Sequence, residues 1–276
     1  INGKTKLECK IMNLPPRFSL IDVFLTATTL SNATELIIEK SKLSNNSAYV
    51  NVFAVDSVLK CHKDSKLVDI ANNSFLTLCD GMPLVKIGKR YADRNMTRCY
   101  GPDVMLSIID KGRACGLRHF FYGGENEQLL QTLVDKLSEK FPGFVEAGRY
   151  CPPFRPLTDD EKKEVTDLII STKADIIWVG IGTPKQDYFV AEFSKRLPRG
   201  VLVAVGAAFN FHSGNVKQAP HWMQMHSLEW LYRLFAEPRR LWKRYLIGNP
   251  YFIFLLLKQW IFANPRKLGS APENKK

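Results

Sequence analysis

The stretch from Asp175 to Tyr188, D-I-I-W-V-G-I-G-T-P-K-Q-D-Y, constrains the fold more than any other. Ile176, Ile177, Trp178, Val179 and Ile181 form a near-continuous apolar run, mostly β-branched, which suits a strand buried on both faces of a parallel sheet. Gly180 and Gly182 permit a tight turn, Pro184 suits the first position of a helix, and Lys185 and Gln186 follow where backbone N–H groups are free. Such a corner binds anions, nucleotide phosphates among them, because unpaired amides and the positive end of the helix dipole both favour negative charge. A plain glycine turn joining a core strand to a helix reads the same from local sequence.

The same grammar recurs along the chain. Phe18 to Phe24 is apolar, and Asn32 to Glu35 has capping-box spacing before Leu36, Ile37 and Ile38, which predicts a first strand–helix step. Ala48 to Val55, with Asn51 inside it, predicts a second strand. A third apolar run from Phe75 stops at Asp80-Gly81, at the carboxyl edge of the sheet, where open α/β folds put their sites. Asp-Gly is also a common turn pair. Lys86 to Arg98 carries five basic residues and reads as a solvated loop or short helix. Leu117 to Gly124 repeats the opening logic: a strand, then Gly123 and Gly124, then a helix over 125–141. Phe144 to Ala147 reads as a short strand and Tyr150 to Pro156 as a rigid loop. Thr158 to Glu161 has capping-box spacing and opens the helix ending near Thr172, and Val201 to Gly206 gives another buried strand. Together these predict a doubly wound, mostly parallel, Rossmann-like α/β core over residues 17–215, preceded by an irregular arm over 1–16.

A chain of 276 residues with 45% apolar content can bury a full core, and its formal charge of +12 calls for an anionic partner: nucleic acid, an acidic membrane surface or a phosphorylated substrate. The six cysteines lie far apart with no C-x-x-C pair, so free thiols are expected rather than a zinc site or a disulfide framework. The chain opens on Ile1 rather than Met, as a trimmed chain does, and its first residues lack the apolar core of a signal peptide. Its longest apolar run, Tyr251 to Leu257, falls short of the ~20 residues a spanning helix needs.

Beyond Asn215 the composition shifts. Between Lys217 and Lys267 nine basic residues stand against Glu229 and Glu237, +7 of the total +12, interleaved with aromatics such as Trp222, Trp230, Trp242 and Trp260. Residues 216–265 therefore read as a basic, aromatic appendage of helical character. That mixture suits the headgroup boundary of an anionic bilayer, stacking on single-stranded nucleic acid, or a helical cap on the core. Residues 266–276 read as a disordered tail.

Taken in order, the motifs D-G-M-P (Asp80–Pro83), R-C-Y-G-P-D (Arg98–Asp103), F-Y-G-G (Phe121–Gly124), P-P-F-R-P-L (Pro152–Leu157), V-G-I-G-T-P-K-Q-D (Val179–Asp187) and G-A-A-F-N-F-H-S-G (Gly206–Gly214) continue into L-E-W-L-Y-R-L-F-A-E-P-R-R-L-W-K-R-Y-L (Leu228–Leu246). They resemble the WecG/TagA/CpsF family of bacterial glycosyltransferases over about Phe18 to Phe262. The resemblance implies inverting transfer of a sugar from a UDP-sugar to a polyprenyl-diphosphate-linked saccharide in cell-envelope or exopolysaccharide synthesis. The enzyme would sit peripherally on the cytoplasmic face of the cell membrane, with no cofactor and no nucleic-acid partner; assembly into a homo-oligomer is left open.

Residue by residue, the resemblance makes Asp80 the general base, with Asn51 beside it in the catalytic site. It sets Arg98, Gly123, Gly124, Gly180, Gly182, Pro184, Lys185 and Gln186 around the donor, and Arg233, Arg239, Arg240 and Arg244 on the diphosphate or acceptor. No Asp-x-Asp occurs in the chain, so no metal site is expected and leaving-group charge falls to Arg, Lys and helix amides. Two positions depart from the family pattern: Asp187 replaces the usual Glu, and Asn210 the usual Asp. Two rivals remain: a nicotinamide-dependent oxidoreductase, for which G-I-G-T-P-K-Q lacks a third glycine, and a non-enzymatic membrane- or nucleic-acid-binding module.

Overall fold

The computed structural model describes residues 12–43, 46–220, 222–223 and 226–262. Most of the predicted arm, the predicted tail 266–276 and the last residues of the appendage lie outside them. The core is a six-stranded parallel sheet in the order β4(Leu76–Cys79), β3(Ala48–Phe53), β8(Val201–Ala204), β7(Ile176–Gly180), β5(Arg118–Gly123), β6(Val145–Tyr150). Every residue of β8 and the first four of β7 are buried, as continuous apolar strands inside a parallel sheet must be. Helices α1(Leu30–Lys42), α5(Gly101–Arg113) and α6(Glu127–Lys140) cover one face around Val50, Trp178 and Val203. On the other face α7(Asp159–Thr172) and α8(Lys185–Phe193) pack on Ile177, Val179 and Leu202. The Thr158 capping box forms as its spacing predicts, with Glu161 reaching back to the Thr158 N–H at 2.8 Å.

Several expectations are corrected, among them the capping box at Asn32–Glu35, since Thr29 caps α1 and accepts from the Asn32 N–H. The apolar run near Phe18 does not open the main sheet; β1(Arg17–Leu20) and β2(Val23–Thr26) pair antiparallel with each other as a separate hairpin. Phe18, Leu20, Val23 and Leu25 are fully buried on its inner face, a period-two pattern on either side of the Ile21-Asp22 turn. The hairpin packs beside β4 with α2(Val55–His62) and α3(Ser65–Asn72) in a second apolar cluster, joined by Phe252 and Leu255 of the helix Gly248–Phe262. Met82–Tyr91 is a helix, α4, because Leu84 and Val85 bury a face that its basic residues leave free. Pro184 is also displaced from its predicted place: it caps α8 after a cis Thr183–Pro184 peptide, and Lys185 is the first helical residue.

Candidate active site

All six parallel strands deliver their carboxyl ends to one edge, where Gly123, Gly124, Gly180, Gly182 and Gly206 lie. Gly123 and Gly180 end neighbouring strands so closely that a Cβ on Gly123 would lie 2.7 Å from the Gly180 carbonyl. Only a residue without a side chain fits that approach, which brings the two corners together. Above them opens a cavity of about 770 Å³, lined by Gly124, Gly180, Gly182, Lys185 and Gly206. Its wall is the loop Pro152–Leu157, and its roof carries Arg233, Glu237 and Arg240 from the C-terminal segment. Tyr122, Phe189 and Phe193 also line it; Phe189 stacks on each of the other two, with ring centres 3.9 Å apart in both pairs. This volume suits a nucleotide-sized ligand, with an aromatic side and a cationic side.

Just behind the cavity wall lie polar groups that the fold leaves unsatisfied. Asn51 is fully buried in the middle of β3, between Thr77 and Ala204, and neither its Oδ1 nor its Nδ2 has a hydrogen-bond partner. Gln186 is 2% exposed and its Oε1 is equally unpartnered, facing Gly206. Unpaired buried polar atoms cost roughly 1–3 kcal/mol each, which makes Asn51 and Gln186 candidates for a role other than stability.

Asp80 follows β4 and is gripped by Arg98, whose Nε donates to the Asp80 carbonyl at 2.6 Å and whose Nη2 donates to Oδ1 at 3.2 Å. The same Nη2 reaches Glu229 at 2.7 Å, and the guanidinium lies 4.0 Å from the Tyr100 ring centre. Burial pushes the Asp80 carboxyl up to about 6; Arg98 pulls it back, Glu229 raises it and Arg233 lowers it. A carboxylate poised there accepts a proton at neutral pH better than an ordinary surface acid. Asp80, Arg98 and Asn51 do not line the cavity, but Arg233 does, and its charge acts on Asp80. The Arg233 Nε is buried with no partner.

The remaining predicted arginines divide. Arg240 lines the cavity while its Nε holds Glu237 at 2.5 Å. Arg239 is exposed, and Arg244 turns away to Asp56 at the start of α2, 3.7 Å away. Gly123, Pro184, Gln186, Arg239 and Arg244 are absent from the cavity lining. Sequence reasoning missed Glu229, which closes the Arg98 fork from the appendage, and Lys60, which donates to the Thr183 carbonyl at 2.9 Å. Phe154, 85% exposed on the cavity wall, sat unremarked inside P-P-F-R-P-L; a large apolar side chain flanked by prolines was the available signal. His119, by contrast, is a core residue stacked between Phe144 and Trp178, and burial drives its pKa down to about 3. Among the described residues no three His, Cys, Asp or Glu side chains converge as metal ligands.

Residues 18–266 match the model of the Glycosyl transferase WecG/TagA/CpsF family. An N-acetylglucosaminyldiphosphoundecaprenol N-acetyl-beta-D-mannosaminyltransferase of Bacillus spizizenii is 30% identical over 204 residues, covering 74% of this chain and 77% of the relative. Its counterpart of the same name in Bacillus subtilis is 30% identical over 197 residues, covering 71% and 74%. The glycine corners, the D-G acid and the arginine-rich C-terminal segment described above all fall inside the matched region, and the chain belongs to the WecG/TagA/CpsF family of glycosyl transferases.

Proposed function

We propose that the chain moves a sugar from a UDP-sugar to a polyprenyl-diphosphate-linked saccharide in cell-envelope synthesis, with inversion and without a metal. The observation that carries this is a nucleotide-sized cavity at the carboxyl edge of the sheet whose Arg233 acts on the raised-pKa carboxyl of Asp80, itself held by Arg98. Asp80 takes the proton of the acceptor hydroxyl as that oxygen attacks the anomeric carbon. The bond to the diphosphate breaks with its electron pair leaving on UDP, and attack from the opposite face inverts the carbon. Lys185, Arg233 and Arg240 meet the charge that develops on the leaving group. Asn51 and Gln186, buried and outside the cavity lining, keep hydrogen-bonding atoms without a partner in the protein. The relatives' name specifies an N-acetylmannosaminyl group and an N-acetylglucosaminyldiphosphoundecaprenol acceptor, which makes a lipid-linked amino sugar the first acceptor to try.

Such an acceptor lies at a membrane, and the appendage is built to meet one. Among the described residues no helix is long and apolar enough to cross a bilayer. The C-terminal helices instead expose Trp242, Leu246, Ile247, Phe254, Trp260 and Phe262 beside Lys243 and Arg239, a mixture suited to the cytoplasmic face of an anionic membrane. The direct test is a mass-spectrometric screen of UDP-sugars with a polyprenyl-diphosphate-linked N-acetylglucosamine, with and without EDTA. A product heavier by one sugar, unaffected by EDTA, is expected; no transfer from any UDP-sugar would sink the proposal. Titrating UDP, NAD and a single-stranded oligonucleotide against Trp fluorescence separates the rivals, with UDP alone expected to bind.

A further inference from the structure

Arg98 meets two carboxylates with one nitrogen. Its Nε donates to the Asp80 carbonyl at 2.6 Å, while Nη2, which carries two N–H groups, donates to Asp80 Oδ1 at 3.2 Å and to Glu229 Oε2 at 2.7 Å. The shorter carboxylate contact is the one to Glu229. The Tyr100 ring covers the guanidinium, its centre 4.0 Å from Cζ, and the Arg98, Asp80 and Glu229 side chains are 20%, 25% and 13% exposed. An arginine beside a lone carboxylate commonly closes on it as a two-bond fork. Here Nε is taken by a main-chain carbonyl and Nη2 is shared, so Asp80 receives a single long bond. A full fork would make Asp80 half of a screened ion pair and a poor proton acceptor.

We propose that Glu229 is a positioning residue for Arg98: by taking one of the two N–H groups on Nη2 it keeps the guanidinium from closing on the Asp80 carboxylate as a fork, and so leaves Asp80 able to accept a proton. This rests on the reading of Asp80 as the base. Around Asp80 stand Cys79 of β4, then Arg98, Cys99 and Tyr100, which lead into α5, and Glu229 and Arg233 of the helix Glu229–Ala236. Burial pushes the Cys99 thiol up to about 12 and raises Cys79 and Tyr100 as well, so these three stay neutral and the charges that tune Asp80 are those of Arg98, Glu229 and Arg233. Removing Glu229 takes a negative charge away from Asp80 and lets the Nη2 bond to Oδ1 shorten. Both changes favour the ionised acid and lower its pKa from about 6.

The test reads the acid limb of kcat/KM, with UDP-N-acetylmannosamine and polyprenyl-diphosphate-linked N-acetylglucosamine as substrates, together with a double-mutant cycle in thermal melts at pH 8. The limb, near pH 6 in the wild type, is expected to move down by about one pH unit in Glu229→Ala, the worth of one stronger hydrogen bond to a charged group, and kcat/KM above it to fall about 3–10-fold as the base weakens. Glu229→Gln loses the charge but keeps an acceptor for Nη2, so it moves the limb less and retains more of kcat/KM, which keeps the test valid if Glu229→Ala folds poorly. A purely structural role would lower Tm and leave the limb in place. In the melts, which need no substrate, the Tm gain from Asp80→Asn is expected to shrink by about half or more in either Glu229 background, because Arg98 already compensates the acid there. An unmoved limb in both Glu229 variants, or the same Asp80→Asn gain in every background, overturns the inference alone. Near-wild-type turnover in Asp80→Asn overturns the reading beneath it.

Discussion

Asp80→Asn separates what the carboxyl does for catalysis from what it does to the fold. Raising its pKa from 3.8 to about 6 means the folded protein disfavours the ionised form by about 3 kcal/mol, even after Arg98 has made its contribution. The sign follows from the direction of the shift. Below pH 3.8 the carboxyl is neutral in both folded and unfolded chains and nothing is lost. Between 3.8 and about 6 the unfolded chain ionises first, so stability falls, and above that the deficit is constant. Asparagine cannot ionise yet keeps an oxygen for the Arg98 Nη2, now 3.2 Å from Oδ1. The side chain is 25% exposed, and solvent screening cuts the figure. Half of it, about 1–2 kcal/mol, still corresponds to a Tm gain of about 2–8 °C at pH 8 for a chain of this size, with little or none at pH 4. Turnover should fall by about 10²–10⁴ while UDP affinity is kept. Thermal melts at the two pH values, beside steady-state kinetics and UDP titration, give all three numbers. A variant less stable than wild type at pH 8, or equally shifted at both pH values, refutes the desolvation account; near-wild-type turnover refutes the role as base.

Arg98→Lys retains charge but cannot hold the Asp80 carbonyl, its carboxylate and Glu229 together, so kcat/KM should drop about 10–100-fold; an unchanged value would show that the fork is dispensable. Gly180→Ala puts a Cβ 2.8 Å from the Phe209 ring and should destabilise the fold by about 1–3 kcal/mol in urea titrations, whereas unaltered stability would mean the corner is looser than described. Phe254→Ser with Trp260→Ser, both on the exposed side of the C-terminal helix, should reduce flotation with anionic vesicles at unchanged Tm; equal flotation removes that helix from the membrane contact.

The parallel core was legible because its signal is local and redundant. Ile176–Val179 and Val201–Ala204 are buried on both faces, so any register leaves them apolar, and each ends in a glycine corner that the sequence displays. The hairpin near Phe18 was misread because its alternation spans a turn: Phe18 and Leu20 share a face with Val23 and Leu25 only once the chain reverses at Ile21. The corners and arginines around the cavity were likewise readable as residue types. Their partners were not, since Arg98 and Glu229 are 131 positions apart and nothing local tells which carboxylate an arginine will hold.

That long-range pair changes how the appendage should be understood. Composition divides the chain near residue 216, but the chemistry does not respect the division. Arg98 of the core holds one carboxylate from the core and one from the appendage, and Glu229 raises the pKa of Asp80 while Arg233 lowers it. The two effects come from successive turns of one helix, Glu229–Ala236, so a small rotation or lifting of that helix alters both at once. Withdrawing Glu229 would free one arm of Arg98 for an anionic ligand. Withdrawing Arg233 would strip the cavity of a cation whose Nε has no partner in the protein. The same helix leads through Arg240 and the Arg244–Asp56 contact into the apolar surface of the C-terminal helix. The exposed apolar surface and the residues that hold and tune the acid–arginine pair therefore belong to one continuous run of chain, from Glu229 to Phe262.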